Sequence, residues 1–449
     1  MIRVTSGYDG GERVWDAVRV DDGGDMAKLI LPPGIRYTCI RCGACCRSLE
    51  VTLTDAEHER LAGRDWSGDV AGATTDGLFA RIRRPRGKQT WRLRPRPDGP
   101  CRLLDEAGLC RVHSALGYAA KPFAGRLFPF RFTVTPEGVF VGVRFNCPAV
   151  VHGKGPLLEQ QKGEIAELYE EYARTYGPPR AREQVHFFGR LALGWRDVLR
   201  LEEQLLAFLV MRDVDLPRRL LACQGLVRGF AQQAAGGGER SRVGADPNAI
   251  LDEVRGPLEA RPLRAIERRM LRLFAASFIG ATPPSYRELP LVGRLGTRLG
   301  NFVRRTKIGA GVGRIRLPMV AERASVRRAW AMDKSRLAPA SSAMLERYFV
   351  AKVASQDFFG QAFFGRPFAE GFDFLAASYW AVLWLAAAHA SAKGRESLEP
   401  NDVAYGIGQV DYAYNYLGEF GGRAARLRSA VFWHWDTVGA ALAGLASGA

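Results

Sequence analysis

Cys39, Cys42, Cys45 and Cys46 form a C-x2-C-x2-C-C run, and Cys101, Cys110 and Cys147 follow it in the same third of the chain. Thiolates two residues apart across a tight turn can converge on one ion, and Gly43 relaxes the backbone at that turn. The adjacent side chains of Cys45 and Cys46 are expected to point differently, toward separate metals or opposite sides of one cluster. A four-thiolate site uses four ligands and two such sites use eight, so seven cysteines fall between the two. His113, three residues after Cys110, is a candidate imidazole ligand, and His152, five after Cys147, is a second. The remaining cysteine, Cys223, follows Leu220, Leu221 and Ala222 and reads as a core thiol.

The elements that must position these thiols are of two kinds. Runs rich in β-branched and aromatic residues at Phe128–Val134 and Val139–Phe145, joined by Thr135, Pro136, Glu137 and Gly138, predict a hairpin, and Thr90–Leu93 predicts a short strand. After about Gly155 the spacing turns helical, with Leu158, Ile165, Leu168, Tyr169, Tyr172 and Tyr176 on one face. Helices are expected from about Glu183 to Val210, from Pro217 to Gln233, from near Pro247 with a break at Pro283 and Pro284, and again after Pro318. The expected fold is α+β: a small, irregular cysteine-rich metal module with a β-hairpin, followed by a predominantly α-helical body. The expected divisions are a lead segment 1–35, a cysteine domain 36–155, a helical domain 156–235, a linker 236–247 and a helical domain 248–449.

The chain has 449 residues, 47% of them hydrophobic, which suits a globular protein with a large core. The first 25 residues hold no apolar run of signal-peptide or anchor length, so a cytoplasmic location is expected. In a reducing compartment eight cysteines point to metal or redox chemistry more than to disulfides. Phe374–Ala392 has no formal charge over 19 residues, but its many alanines, with Ser378, Tyr379, His389 and Ser391, predict a buried core helix and not a membrane span.

Taken in order, the cysteine run, Pro100-Cys101-Arg-Leu-Leu, Leu109-Cys110-Arg-Val-His113, Lys121-Pro122, Arg126-Leu-Phe-Pro129 and Asn146-Cys147-Pro148 resemble the YkgJ-type cysteine cluster family. The resemblance covers about residues 36–150 and implies a zinc- or iron-chelating domain. That family commonly carries a further cysteine just before the arginine of its Cys-Arg-x-Phe-Pro motif, where this chain has Gly125 before Arg126. The architecture as a whole, with Leu345-Glu-Arg-Tyr348-Phe-Val, the apolar helix around Tyr379, and Leu398-Glu-Pro-Asn-Asp402, resembles flagellin lysine N-methylases. That second resemblance implies an iron-sulfur cluster, S-adenosylmethionine as methyl donor, and methylation of protein lysines.

Formal charge is +17, and ten basic residues stand between Arg294 and Arg328 against the single acid Glu322, so this stretch is a candidate contact for a protein substrate or an acidic partner. Nucleic acid and membrane are not expected as partners. Between Arg81 and Arg96 eight further basic residues occur without an acid, and they either favour the nearby thiolates or are simply solvated. Gly309, Gly311 and Gly313 lack the strand and acidic ribose ligand of a nucleotide loop.

The sequence therefore reads as a metal-binding protein, with Cys39, Cys42, Cys45, Cys46, Cys101, Cys110, Cys147 and His113 as candidate ligands. An iron-sulfur cluster is favoured over zinc. Two function classes follow: a protein-modifying enzyme such as a lysine N-methylase, or a non-enzymatic metal-stabilised interaction module.

Overall fold

The computed structural model describes residues 28–68, 75–83, 89–96, 100–177, 181–235, 246–258, 261–279, 289–416, 427, 431–433 and 436–447. Strand β1 (Leu29–Ile30) is followed by a short helix α1 (Ala44–Ser48) that carries Cys45 and Cys46, then by β2 (Thr52–Leu53) and α2 (Asp55–Ala62). Helix α2 begins at a capping box: Thr54 Oγ1 accepts the Glu57 N–H at 3.2 Å, and Glu57 Oε2 accepts the Thr54 N–H at 2.8 Å. Helix α3 (Thr75–Leu78) leads into β3 (Phe79–Arg83), which pairs antiparallel with β4 (Gln89–Leu93); β4 also pairs with β2. Leu53, Leu61, Trp66, Phe79, Leu103 and Val112 close a small core against this sheet.

Helices α4 (Arg111–Leu116) and α5 (Phe123–Leu127) precede the expected hairpin, formed by β5 (Phe130–Thr135) and β6 (Gly138–Val143) with Pro136 and Glu137 at its turn. The Phe128–Pro129 peptide is cis. Strand β1 adds to β6 in parallel, with Leu29 opposite Val139. This second sheet does not close the small core. Its Phe130, Phe132, Val141 and Val143 pack into a larger one that runs through the helical body.

The body starts with α6 (Pro148–Val151) and α7 (Lys162–Tyr176). Where helix was expected from Glu183, the chain first makes a hairpin, β7 (Gln184–Phe188) and β8 (Leu191–Gly194), and only then α8 (Trp195–Leu209). The reason is local: Val185 and Phe187 alternate with exposed residues at period two, and Gly189 turns the chain at φ 57°. Next come α9 (Leu216–Ala235), α10 (Pro247–Arg255), α11 (Ala265–Ser277) and α12 (Leu291–Ala310). The expected linker residues 236–245 and the break at Pro283 and Pro284 lie outside the described residues. A small β-ladder, β9 (Arg314–Arg316) with β10 (Arg323–Ser325), and helices α13 (Val326–Ala331), α14 (Pro339–Ala354), α15 (Phe368–Ala392), α16 (Pro400–Tyr416) and α17 (Thr437–Ser447) complete the chain.

Helix α15 is the axis of the large core. Its most apolar 18-residue window is 94% buried inside the protein, which matches the expectation of a core helix. Each fully buried Phe or Leu contributes on the order of 2 kcal/mol relative to exposure, and α15 supplies Phe368, Phe372, Phe374 and Leu385 at 0% exposure. Helix α16 approaches it so closely that a Cβ on Gly406 would overlap the Val382 carbonyl. The architecture is α+β, small sheets first and helices after.

Candidate metal centre

The cysteine run lies on a loop fastened to the body at Tyr37. Tyr37 N–H donates to the Pro156 carbonyl at 3.1 Å, Gln161 Nε2 donates to the Tyr37 carbonyl at 3.1 Å, and the Tyr37 ring stands edge-on to Phe130. Cys39 and Cys42 are exposed on this loop. Gly43 then turns the chain at φ 66° and starts α1; a Cβ there would stand 2.8 Å from the Gly108 carbonyl oxygen. The requirement for glycine at 43 is thus both conformational and steric, and it presses the first cysteines against the turn before Cys110.

Cys45 and Cys46 were expected to diverge, and they converge: their sulfurs are 3.9 Å apart. Neighbouring residues in a helical turn point about 100° apart, not opposite as in a strand, so both thiols can face one side. Cys46 also accepts, through its carbonyl, the Cys101 N–H at 2.8 Å. Isolated bridges pair Pro95 with Cys101 and Leu104 with Cys110, and so fold the 101–110 loop under α1.

The thiols divide between the two cores. Cys46, Cys101 and Cys110 belong to the small core around β2–β4, whereas Cys147 lies in the large core with β5 and β6. The cluster sits on the seam between them. Its electrostatics link both sides: Cys46 feels the charges of Cys45, Cys101 and Cys110, and Cys147 feels those of Cys42 and Cys45. Cys45 is lowered to about 6, first by the hydrogen bond from Cys46 and also by the nearby Lys121 ammonium. Cys46, as the donor, is pushed the other way, with burial adding to the effect. Burial pushes Cys101 and Cys147 up to about 12. The Tyr37 hydroxyl is raised by burial and by the charges of Cys39 and Cys147.

His113 is half-buried on α4, with its ring edge toward Tyr118 at 5.6 Å. His152 caps the end of α6, and burial lowers its pKa. Cys223 is fully buried in the body, its thiol facing the Leu205 carbonyl at 3.5 Å, as a core thiol should be. Among the described residues no three Cys, His, Asp or Glu side chains close to metal-ligand spacing; the Cys45–Cys46 pair alone is in sulfur–sulfur contact.

Among the described residues of the basic run Arg81–Arg96, Arg81 stacks on Trp91, Arg92 pairs with Glu50 at 2.8 Å, Arg94 holds the Phe79 carbonyl at 2.8 Å, and Arg96 bears on a thiol, Cys101. Gly311 and Gly313 simply end α12 and enter β9, both at positive φ.

The remaining motif residues hold the seam. Arg126 forms a two-pronged pair with Glu171 of α7 and donates from Nε to the Lys121 carbonyl at 3.1 Å. Phe123 N–H donates to the buried Glu57, joining α5 to α2. Behind Cys147 lies a cluster that the sequence reading missed. Lys352 Nζ meets Asp357 at 2.6 Å and Asp411 at 2.5 Å, Arg131 of β5 meets Asp357 at 2.7 Å, and the Asn146 N–H donates to Asp411 at 3.1 Å. Two cations face two carboxylates, so the pairing offsets the cost of burying charge. Its sequence signal is a single lysine in the apolar stretch Tyr348–Ala354.

Residues 38–139 match the model of the CxxCxxCC family, described as a "Putative zinc- or iron-chelating domain". An uncharacterized protein of Methanocaldococcus jannaschii is 28% identical over 139 residues, 31% of this chain. The chain spans 45% of the length of that relative. No solved structure matches.

Proposed function

We propose that the cysteine seam binds metal through thiolates drawn from Cys39, Cys42, Cys45, Cys46, Cys101, Cys110 and Cys147, with an iron-sulfur cluster favoured over zinc. The observation that carries this reading is the Cys45–Cys46 sulfur separation of 3.9 Å. Two thiolates on one tetrahedral ion, each about 2.3 Å from it, are about 3.8 Å apart. The pair therefore already has the spacing of one edge of a metal site. The donor set is soft throughout, and a bound cation supplies the positive charge that three thiols held protonated by burial or by a neighbour otherwise lack. Seven sulfurs exceed one zinc site, which favours a polynuclear cluster. His113 completes the candidate set.

The enzymatic form of this proposal, methylation of protein lysines, is supported by the order of the segments: cysteine module, then the helices around Tyr348 and Tyr379 and the start of α16 at Leu398–Asp402. The cavity of about 490 Å³ between β5 and the body is lined by Arg131, Arg144, Arg182 and Arg366 and by no carboxylate. That lining does not fit the cationic sulfonium and ribose of S-adenosylmethionine, so no methyl-transfer step is assigned to it. With no methyl-transfer step assigned, the metal-stabilised module is the reading we prefer. Isotope transfer from S-adenosylmethionine to lysines of an acceptor protein would reverse that preference.

Metal analysis of Cys45→Ser and Cys46→Ser chains tests the metal reading. Each variant is expected to lose most of the bound metal, while Cys223→Ser retains it.

A further inference from the structure

Helix α12 packs with its polar side inward. Gly293, Thr297, Asn301, Arg304 and Ile308 recur at helical spacing as its more covered positions. Along this face Arg304 donates to the Ile279 carbonyl at 3.0 Å and Ile308 is fully buried. The opposite side carries Leu291, Val292, Leu295, Leu299, Phe302 and Val303, which are 43% to 80% exposed. At 3.6 residues per turn these six side chains fall within an arc of about 120°. By the same spacing Arg294 and Arg298, both exposed, border one edge of the arc and Lys307 borders the other, while Arg305 is half-buried. From Leu289 to Ala321 the chain has no acidic residue.

We propose that α12 docks on an anionic lipid surface, lying parallel to it with Leu295, Leu299 and Phe302 among the acyl chains and the basic edges at the headgroups. Charge complementarity selects this occupant. An apolar ridge bordered on both sides by cations matches the layered interface of a bilayer, where apolar depth and anionic headgroups are stacked. An acidic protein would be met by the cations but would leave six apolar side chains in water. Surface docking needs no membrane span, so it is compatible with α15 lying in the core. It is independent of the metal reading.

The test uses the full chain as purified and flotation with phosphatidylcholine vesicles, with or without phosphatidylserine. The chain is expected to float with the phosphatidylserine vesicles at low salt, to be released by salt, and to ignore phosphatidylcholine alone. Lys307→Glu should weaken partition by at least about fivefold, the effect of one cation near the surface. Leu299→Glu with Phe302→Glu should abolish it, and because both positions are exposed, the thermal melt should not move; Phe302→Leu should retain binding. Absence of flotation at low salt overturns the proposal, as does binding indifferent to Leu299 and Phe302. Self-association that the Leu299→Glu and Phe302→Glu chain loses would assign the face to a second copy, and polyglutamate competing equally with wild type and that variant would assign it to an acidic polypeptide; either result overturns the lipid assignment.

Discussion

The Lys121 side chain lies across Gly125: a Cβ built on Gly125 would stand 3.0 Å from Lys121 Cε, and its next neighbours are Cγ and Cδ of the same lysine. Lys121 is also the side-chain cation that helps hold Cys45 ionised. The place where the YkgJ-type pattern commonly carries a further thiol is thus covered by a lysine whose charge reaches the cluster.

Gly125→Cys is expected to raise the metal bound per chain, because the clash is with the movable end of a lysine and Gly125 has no left-handed φ to resist a side chain. Metal per protein, measured by mass spectrometry after identical purification, checks this. Equal loading of the two chains would show that position 125 does not face the site.

In metal-free protein Cys45 is expected to be the thiol that stays ionised in mild acid. Its pKa is lowered to about 6, so its alkylation rate should be flat above pH 7 and fall as pH drops through about 6. Cys101 and Cys147, pushed up to about 12, should stay unreactive at neutral pH. Peptide mapping after brief iodoacetamide treatment reads all three. A Cys45 rate that keeps climbing to pH 9, like an ordinary thiol, would contradict the assignment of Cys46 as donor.

Lys352→Met should destabilise the fold by about 3–5 kcal/mol, because it leaves Asp357 and Asp411 buried with their central cation gone. Urea unfolding at neutral pH measures this. A loss under about 1 kcal/mol would mean that Arg131 alone is enough for both carboxylates.

Much of this arrangement was legible in advance, for physical reasons that also mark where legibility ends. The β5–β6 hairpin was readable because branched and aromatic residues run up to a Pro136–Glu137 turn on both sides. Strands β7 and β8 were not, because five and four residues are too few to outweigh the helical spacing of Trp195, Val198, Leu201 and Leu205 that follows. The candidate ligands stood out by residue type. Their division between two cores did not, since it depends on β5 and β6 leaving the small core for the large one, a tertiary event with no local signal. The convergence of Cys45 and Cys46 was hidden likewise, because it needs α1 to be helical over five residues with a left-handed glycine as its cap.

Metal removal should loosen the small core before the large one. The region from Ala44 to Leu116 depends on a limited set of buried apolar side chains, whereas β5 and β6 are held by the helical body. Limited proteolysis before and after chelation should therefore add cuts between Ala44 and Leu116 and spare Phe130–Val143. New cuts appearing first in the hairpin would reverse this order.

The most direct measurement is metal and acid-labile sulfide content, with an optical spectrum, on full-length protein purified without oxygen. The account predicts iron and sulfide together, a visible absorption that dithionite bleaches, and loss of all three in Cys45→Ser and Cys46→Ser chains. A chain that carries no metal while all seven seam thiols titrate freely would contradict it, and stoichiometric zinc with a colourless spectrum would contradict the choice of iron.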